Sequence, residues 1–207
     1  MVFIGITGGV GAGKSEILRY LDKKPGVRVM FADEIAHTLM EPGTACYMQL
    51  REQFAGQDVF LPEGGFDRAK LAMVLFSSEE MRGRLNHIVH PAVKEYVRRQ
   101  LAKERAAGEH ELLVLEAALL IEEHYDELCD ELWYIETSEE NRAARLKASR
   151  GYSPEKARQM MDSQLPAEEY RRHCARVIDN NGTVDESIQQ IEQLLKQVLR
   201  NKRLGEP

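Results

Sequence analysis

Gly8-Gly9-Val10-Gly11-Ala12-Gly13-Lys14-Ser15 decides the fold of this chain. It follows the apolar run Val2-Phe3-Ile4-Gly5-Ile6-Thr7 and precedes Glu16-Ile17-Leu18-Arg19-Tyr20-Leu21, whose apolar residues recur at helical spacing. The eight residues satisfy G-x-x-x-x-G-K-[ST] in the strand–loop–helix setting that the pattern requires. Glycine lets consecutive backbone N–H groups turn inward, and a helix start adds its positive dipole end, so such a loop cradles phosphate oxygens. A lysine at the seventh position reaches the β- and γ-phosphates, and the hydroxyl after it ligates Mg²⁺. Lys14 and Ser15 stand at those two positions. The plain alternative is a glycine-rich turn with a chance Lys-Ser, and spacing, context and N-terminal placement together speak against it. The stretch reads as a nucleotide-triphosphate site.

Composition sets the outer bounds. The 207 residues suit one domain with room for an insertion, and 43% hydrophobic with 30% charged residues is ordinary for a globular protein. Such a chain can bury a core without disulfides or a structural metal. A formal net charge of −6 speaks against a nucleic-acid backbone as the main partner. Cys46, Cys129 and Cys174 are far apart and odd in number, which makes neither a zinc pattern nor a disulfide framework. No signal peptide is expected, since the apolar start runs straight into the phosphate loop, and no uncharged run approaches membrane-spanning length. The expectation is a cytoplasmic, soluble protein with no membrane partner.

Five short apolar segments read as strands, at residues 2–7, 27–32, 112–116, 132–136 and 176–179. Helical periodicity between them predicts an α/β fold with a buried parallel sheet. Asp33 ends the second segment, at the carboxyl edge where open α/β sheets bind ligands. It reads equally as a functional carboxylate and as the N-cap of the helix that follows. Some eighty residues then separate the second strand from the third, far more than a crossover needs. Helices are expected there at 45–54, 67–76, 78–88 and 91–105, broken by the turn Leu61-Pro62-Glu63-Gly64-Gly65. An insertion of this size at the ligand edge suits a cap over a second substrate. His90-Pro91 is expected to open the last of these helices, since proline favours a first helical turn.

Glu116, after the third strand, suits either a water-mediated Mg²⁺ contact or a charge at a helix N-terminus. Thr137-Ser138-Glu139-Glu140 is a helix start, and the segment then carries Arg142, Arg145 and Arg150 before Gly151-Tyr152-Ser153-Pro154 and a second helix. Arginines on a mobile helix pair can neutralise a transferring phosphoryl group, whereas an exposed, salt-bridged pair is the alternative. The closing helix carries Val184, Ile188, Ile191, Leu194, Leu195, Val198 and Leu199 on one stripe, and a frayed tail is expected over 200–207.

Taken together the chain resembles the dephospho-CoA kinases, which phosphorylate the 3′-hydroxyl of dephospho-CoA in the last step of CoA synthesis. The resemblance is carried by residues 4–15, Ala32-Asp33, Glu41-Pro42-Gly43, Phe66-Asp67-Arg68 with Leu71, and His90-Pro91. It continues through Leu119-Leu120-Ile121-Glu122, Arg150, Gln164 and Val177-Ile178-Asp179-Asn180-Asn181-Gly182. It implies a P-loop NTPase fold: a five-stranded parallel sheet flanked by helices, with a helical substrate-binding insertion and a helical lid. The implied core covers about 1–32, 108–137 and 166–207, the CoA-binding insertion about 33–107, and the lid about 138–165. Asp33 would orient or deprotonate the attacking hydroxyl. Gly11, Ala12, Gly13, Lys14, Ser15 and Glu16 would hold ATP and Mg²⁺, with Ser15 the metal ligand. Lys14 and Arg150 would join Asp33 in catalysis, Arg145 would belong to the lid, and Asn180 would lie near the adenine. His37, Arg68, Leu71, His90 and Pro91 would meet dephospho-CoA. A monomer or weak homo-oligomer is expected.

Several positions depart from the family pattern. Phe31 stands where an Asp is usual, His37 where an Arg is common, Ala118 for a proline and Ala175 for an aspartate. Glu16 stands where a second Ser or Thr is common, and Arg145 to Arg150 is one residue longer than usual. Asp33, Lys14 and Ser15 are all retained. The rival readings are another small-molecule kinase, with a nucleoside monophosphate, sugar or shikimate-like acceptor, and a nucleotide-binding protein without transfer activity.

Overall fold

A computed structural model describes residues 1–205 and divides into two compact units. The first joins Met1–Met30 to the chain from Lys103 onward, and the second is Phe31–Ala102. Strands β1 (Val2–Thr7), β2 (Val27–Phe31), β3 (Leu112–Glu116), β4 (Glu131–Glu136) and β5 (Arg176–Asp179) form a sheet in the order β2-β3-β1-β4-β5. Pairing is parallel from β3 through β1 and β4 to β5. Every residue of β1 is buried, as are Leu112–Leu115 and Leu132–Ile135. Parallel strands covered by helices on both faces read as such continuous apolar runs, which is why the sequence shows no alternation there.

β1 therefore lies between β3 and β4, and its register sets the ligand edge. Ile6 stands opposite Glu116 and Thr7 opposite Tyr134, while Glu136 stands opposite Asp179. The residues that follow these strands, Gly8, Thr137 and Asn180, emerge with Glu116 at one edge. Gly5 makes the central strand thin: a Cβ there would lie 2.6 Å from Leu132 Cδ2 and 3.1 Å from Leu120 Cδ1. The sheet is flanked by α1 (Lys14–Asp22), α6 (Glu139–Arg150), α7 (Pro154–Asp162), the short α8 (Ala167–His173) and α9 (Val184–Leu204). Tyr170 of α8 stacks on Tyr134 with ring centroids 4.8 Å apart.

The second unit holds α2 (Ala32–Leu39), α3 (Ala45–Gln53), α4 (Arg68–Ser77) and α5 (Glu79–Ala107) as far as Ala102. Asp67 caps α4, accepting from the N–H groups of Ala69 and Lys70 at 3.1 Å each. The expected turn at 61–65 is present and closed by an antiparallel bridge between Phe60 and Phe66. Those rings join Tyr47 and Phe54 in an aromatic cluster, and the Tyr47 hydroxyl accepts from Gly65 N–H at 3.1 Å.

Several expectations are corrected. Pro91 does not open a helix: it lies inside the continuous α5. Proline removes one helical hydrogen bond there, and the apolar stripe Val89, Val93, Val97 and Leu101, all buried, carries the helix across the gap. Asp33 is no N-cap, because Phe31 is the cap residue of α2 and Asp33 the second helical residue. No helix starts at Glu116; turns follow β3, with one short 3-10 segment at Tyr125–Glu127. Val184 is exposed, while Ser187 is buried on the inner side of α9. The tail is helical to Leu204, and Arg203 pairs with Glu111 at 2.8 Å; the last two residues lie outside the described ones. Among the described residues no helix is long and apolar enough to cross a membrane.

Glu104, buried near the end of α5, ties this helix to β2 through Arg28 and to the following loop through His110 Nδ1 at 2.6 Å. The His110 hydrogen bond and then the Arg28 guanidinium hold its carboxyl below the usual 4.5. A depressed carboxylate stabilises the fold above its unfolded pKa and loses that contribution as pH falls through its folded pKa. Thermal melts of Glu104→Gln are expected to fall below wild type at pH 7, with the gap closing only as pH drops below 4.5.

Candidate active site

The loop between β1 and α1 carries its glycines for two separate reasons. Gly11 and Gly13 adopt φ of 77° and 87°, the left-handed region that costs other residues dearly. Their surroundings are also closed. A Cβ on Gly11 would meet the Arg142 carbonyl oxygen at 2.8 Å, and one on Gly13 would meet Asn180 Nδ2 at 2.6 Å. The loop is thus pressed between α6 and the segment after β5.

Side chains from three elements hold the loop by its carbonyl oxygens. Ala12 O accepts from Thr137 Oγ1 at 3.0 Å, Arg145 Nη1 at 3.0 Å and Asn180 Nδ2 at 2.6 Å. Arg145 Nη2 also donates to Asn180 O at 2.8 Å, and Ser187 Oγ donates to Asn180 Oδ1 at 2.7 Å. Further along the loop, Arg142 Nε donates to Val10 O at 2.9 Å. Gln164 Oε1 accepts from Val10 N–H at 2.8 Å and from Arg142 Nη2 at 2.7 Å. Two donors on one oxygen settle which way the Gln164 amide points.

Lys14 opens α1, and its Nζ donates to Gly8 O at 2.6 Å while lying 3.6 Å from Glu116 Oε1. The ammonium therefore spans the mouth of the loop. Ser15 and Glu16 are exposed in the first turn of α1, and the Glu16 carboxylate accepts from Arg19 at 2.6 Å. Thr7, the last residue before the loop, is fully buried with no hydrogen-bond partner for Oγ1. Such orphaned groups are uncommon and call for a water or a ligand to complete them. Ser15 and Glu116 supply hard oxygen donors, and Mg²⁺ asks for few of these because phosphates and water complete its shell.

The first unit thus gathers Gly11, Ala12, Gly13, Lys14, Ser15, Glu116, Arg145 and Asn180. It adds Arg142, which the sequence named among the arginines able to neutralise a phosphoryl group, and Thr137 and Gln164, to which the sequence pointed only as a helix start and a family marker. Arg142, three residues before Arg145 and so on the same helix face, is directed to the loop backbone instead. Arg150, the last residue of α6, is exposed with its guanidinium 6.0 Å from the Tyr152 ring centroid. The second unit holds the remaining residues. Asp33 and His37 are exposed one turn apart on α2. His37, Arg68 and Leu71 line one open cavity of about 430 Å³, while His90 and Pro91 do not contribute to it.

The model of the dephospho-CoA kinase family matches residues 2–186. The chain belongs to the dephospho-CoA kinase family. It is 37% identical over 192 residues to the "Dephospho-CoA kinase" of Symbiobacterium thermophilum, covering 93% of this chain and 79% of that one. It is 36% identical over 194 residues to that of Geobacter sulfurreducens, covering 94% and 97%. Among solved structures, a dephospho-CoA kinase from Campylobacter jejuni superposes with a TM-score of 0.72 at 19% identity, covering 97% and 98%. A shikimate kinase from Acinetobacter baumannii reaches 0.53 at 15%, covering 98% and 95%. Those two likenesses confirm the P-loop kinase fold. As a family member the chain is a phosphotransferase that uses ATP and an alcohol acceptor.

Among the described residues, Gln164 accepts both from the loop backbone at Val10 and from Arg142 of α6. Gln164→Leu strips Val10 N–H and Arg142 of that acceptor, and titration calorimetry is expected to show ATP affinity weakened about tenfold, the scale of one hydrogen bond. Unchanged affinity would show that the loop keeps its shape without this clamp.

Proposed function

We propose that this chain transfers the γ-phosphoryl group of ATP to the 3′-hydroxyl of dephospho-CoA, giving CoA and ADP. The observation that carries the reading is the loop of residues 8–15, held at three carbonyl oxygens, with Lys14 across its mouth. Lys14 would leave Gly8 O for the β- and γ-phosphate oxygens, while the N–H groups at the start of α1 face the same charge. Ser15, with Glu116 through water, would hold Mg²⁺, which when bound neutralises phosphate charge. Asp33 would accept the hydrogen bond of the 3′-hydroxyl, align its oxygen with the phosphorus and take the proton as the new P–O bond forms. The loose transition state of phosphoryl transfer releases that proton late, so a carboxylate can receive it.

Residues 138–165 would act as the lid. Arg142 and Arg145 fix the loop, which leaves the exposed Arg150 as the arginine with freedom to meet the transferring group. Catalysis of this kind consists of positioning and electrostatic stabilisation. His37, Arg68, Leu71, His90 and Pro91 belong to the acceptor side, with residues 33–107 as the CoA-binding insertion. Asn180 contributes by pinning Ala12, and it borders the adenine. The protein would work in the cytoplasm as a monomer or weak homo-oligomer without nucleic acid, a reading its net charge of −6 and three free thiols support.

Incubation with Mg·ATP and dephospho-CoA should yield CoA by mass spectrometry, at a rate far above ATP hydrolysis without acceptor. Tight ATP binding with no CoA formed would mean that Phe31 and His37 mark another acceptor. Asp33→Asn is expected to lower kcat about a hundredfold or more while leaving the ATP dissociation constant within about twofold of wild type. Near-normal turnover would remove Asp33 from the mechanism. Lys14→Ala should lose ATP affinity and rate together.

A further inference from the structure

Ser187 of α9 is a fully buried hydroxyl on the helix face that also carries the buried Ile191, Leu195 and Val198. In such a stripe a hydroxyl gains nothing from burial as such: alanine would form helix better and leave no polar group to satisfy. The ordinary partner of a helical serine is the carbonyl four residues earlier. Here that contact, to Thr183 O, is the longest of three at 3.4 Å. Asp179 O stands at 3.1 Å and Asn180 Oδ1 at 2.7 Å.

All three neighbours are acceptors, and the hydroxyl has one hydrogen to give. Asp179 O already accepts from Gln190 Nε2 at 2.8 Å, and Thr183 O from the Ser187 N–H at 3.3 Å. Asn180 Oδ1 has no other donor among the described residues, so the hydrogen goes there. Asn180 is itself buried, and the other end of its amide is committed. Nδ2 meets the carbonyl oxygen of Ala12 at 2.6 Å, where only a donor fits. Ser187 thus holds one end of an amide whose other end holds the loop. The space offers no slack, since a Cβ on Gly13 would lie 2.6 Å from the same Nδ2. Gly13 is the residue from which α1 starts, next to Lys14.

We propose that Ser187 is a positioning residue of the nucleotide site, acting through the Asn180 amide on Ala12 and Gly13 of the phosphate loop. The inference rests on the reading of that loop as the ATP site. Without the hydroxyl, Asn180 Oδ1 is buried with no donor, and the amide gains by turning away from Ala12. Thr137 and Arg145 still hold Ala12 O at 3.0 Å each, so the loop loosens and does not collapse. Part of the binding free energy then goes into setting the loop again when the triphosphate arrives, and ATP is held less tightly. Every contact in this chain lies within the first unit, so the acceptor's KM does not follow.

A double-mutant cycle on the whole enzyme tests this. Ser187→Ala is expected to weaken ATP binding about fivefold in titration calorimetry and to raise the KM for ATP in step, with the KM for dephospho-CoA within about twofold of wild type. Asn180→Ala alone should weaken ATP binding at least as much. With both substitutions present, affinity should equal that of Asn180→Ala, because the hydroxyl then has nothing to act through. A hydroxyl that only packs α9 would lower the melting temperature and leave the ATP affinity of the folded protein unchanged, and that result overturns the proposal. So does a double variant in which the two losses multiply. Should the alanine variant not fold, Ser187→Cys, similar in size with a weaker donor, gives the same comparison. Wild type that binds no ATP overturns the reading of the loop instead.

Discussion

The carbonyl oxygen of Ala12 is the point on which the nucleotide site depends. A carbonyl has two lone pairs, yet this one faces a hydroxyl, a guanidinium and an amide from three different elements. The cost of crowding three donors on one acceptor is offset by what they achieve together. They turn the peptide's oxygen away from the ligand side, where N–H groups of a glycine-rich loop can face phosphate; those of Val10 and Ala12 are already bonded to Gln164 Oε1 and Gly9 O. Phosphate binding by backbone N–H groups is strong only if the groups are already aimed, since each one that must be reoriented costs conformational entropy at the moment of binding.

Rigidity behind the loop comes from burial. β1 is buried along its full length between β3 and β4, so its carboxyl end cannot shift without opening the densest part of the core. Gly5 allows Leu132 to pack flush against the strand. Asn180 and Ser187 extend the same order outward, because a buried serine on α9 orients the asparagine that orients the loop. Arg142 of α6 and Gln164, in the segment after α7, hold the loop from the other side at Val10.

The second unit uses different physics. Its aromatic cluster fixes the turn at 61–65 against α3, which sets where Phe66 and Arg68 stand. α4 is apolar on more sides than it can bury, and a helix of that kind needs a further partner. Binding energy from parts of an acceptor away from the reacting hydroxyl can serve to hold that hydroxyl in line with phosphorus, which is where specificity and rate meet in phosphoryl transfer.

The phosphate loop, the five strands and most helices were readable from residue pattern alone, because each rests on local rules: glycine freedom, apolar runs and helix starts such as Ser138; α8 and the single run of α5 were not. Lys14 and Ser15 were readable for the same reason, their roles being tied to fixed spacing within one turn. What the tertiary structure decided is everything that depends on side chains meeting across long separations. Arg142 and Gln164 meet at Val10, more than a hundred residues away in sequence, and no periodicity announces such a contact. Pro91 in mid-helix went against local preference, because burial of one face of α5 outweighs a single lost hydrogen bond, while Asp33 lies inside rather than before α2, which already starts at Ala32. Local chemistry wrote the motif, and packing chose which side chains hold it still.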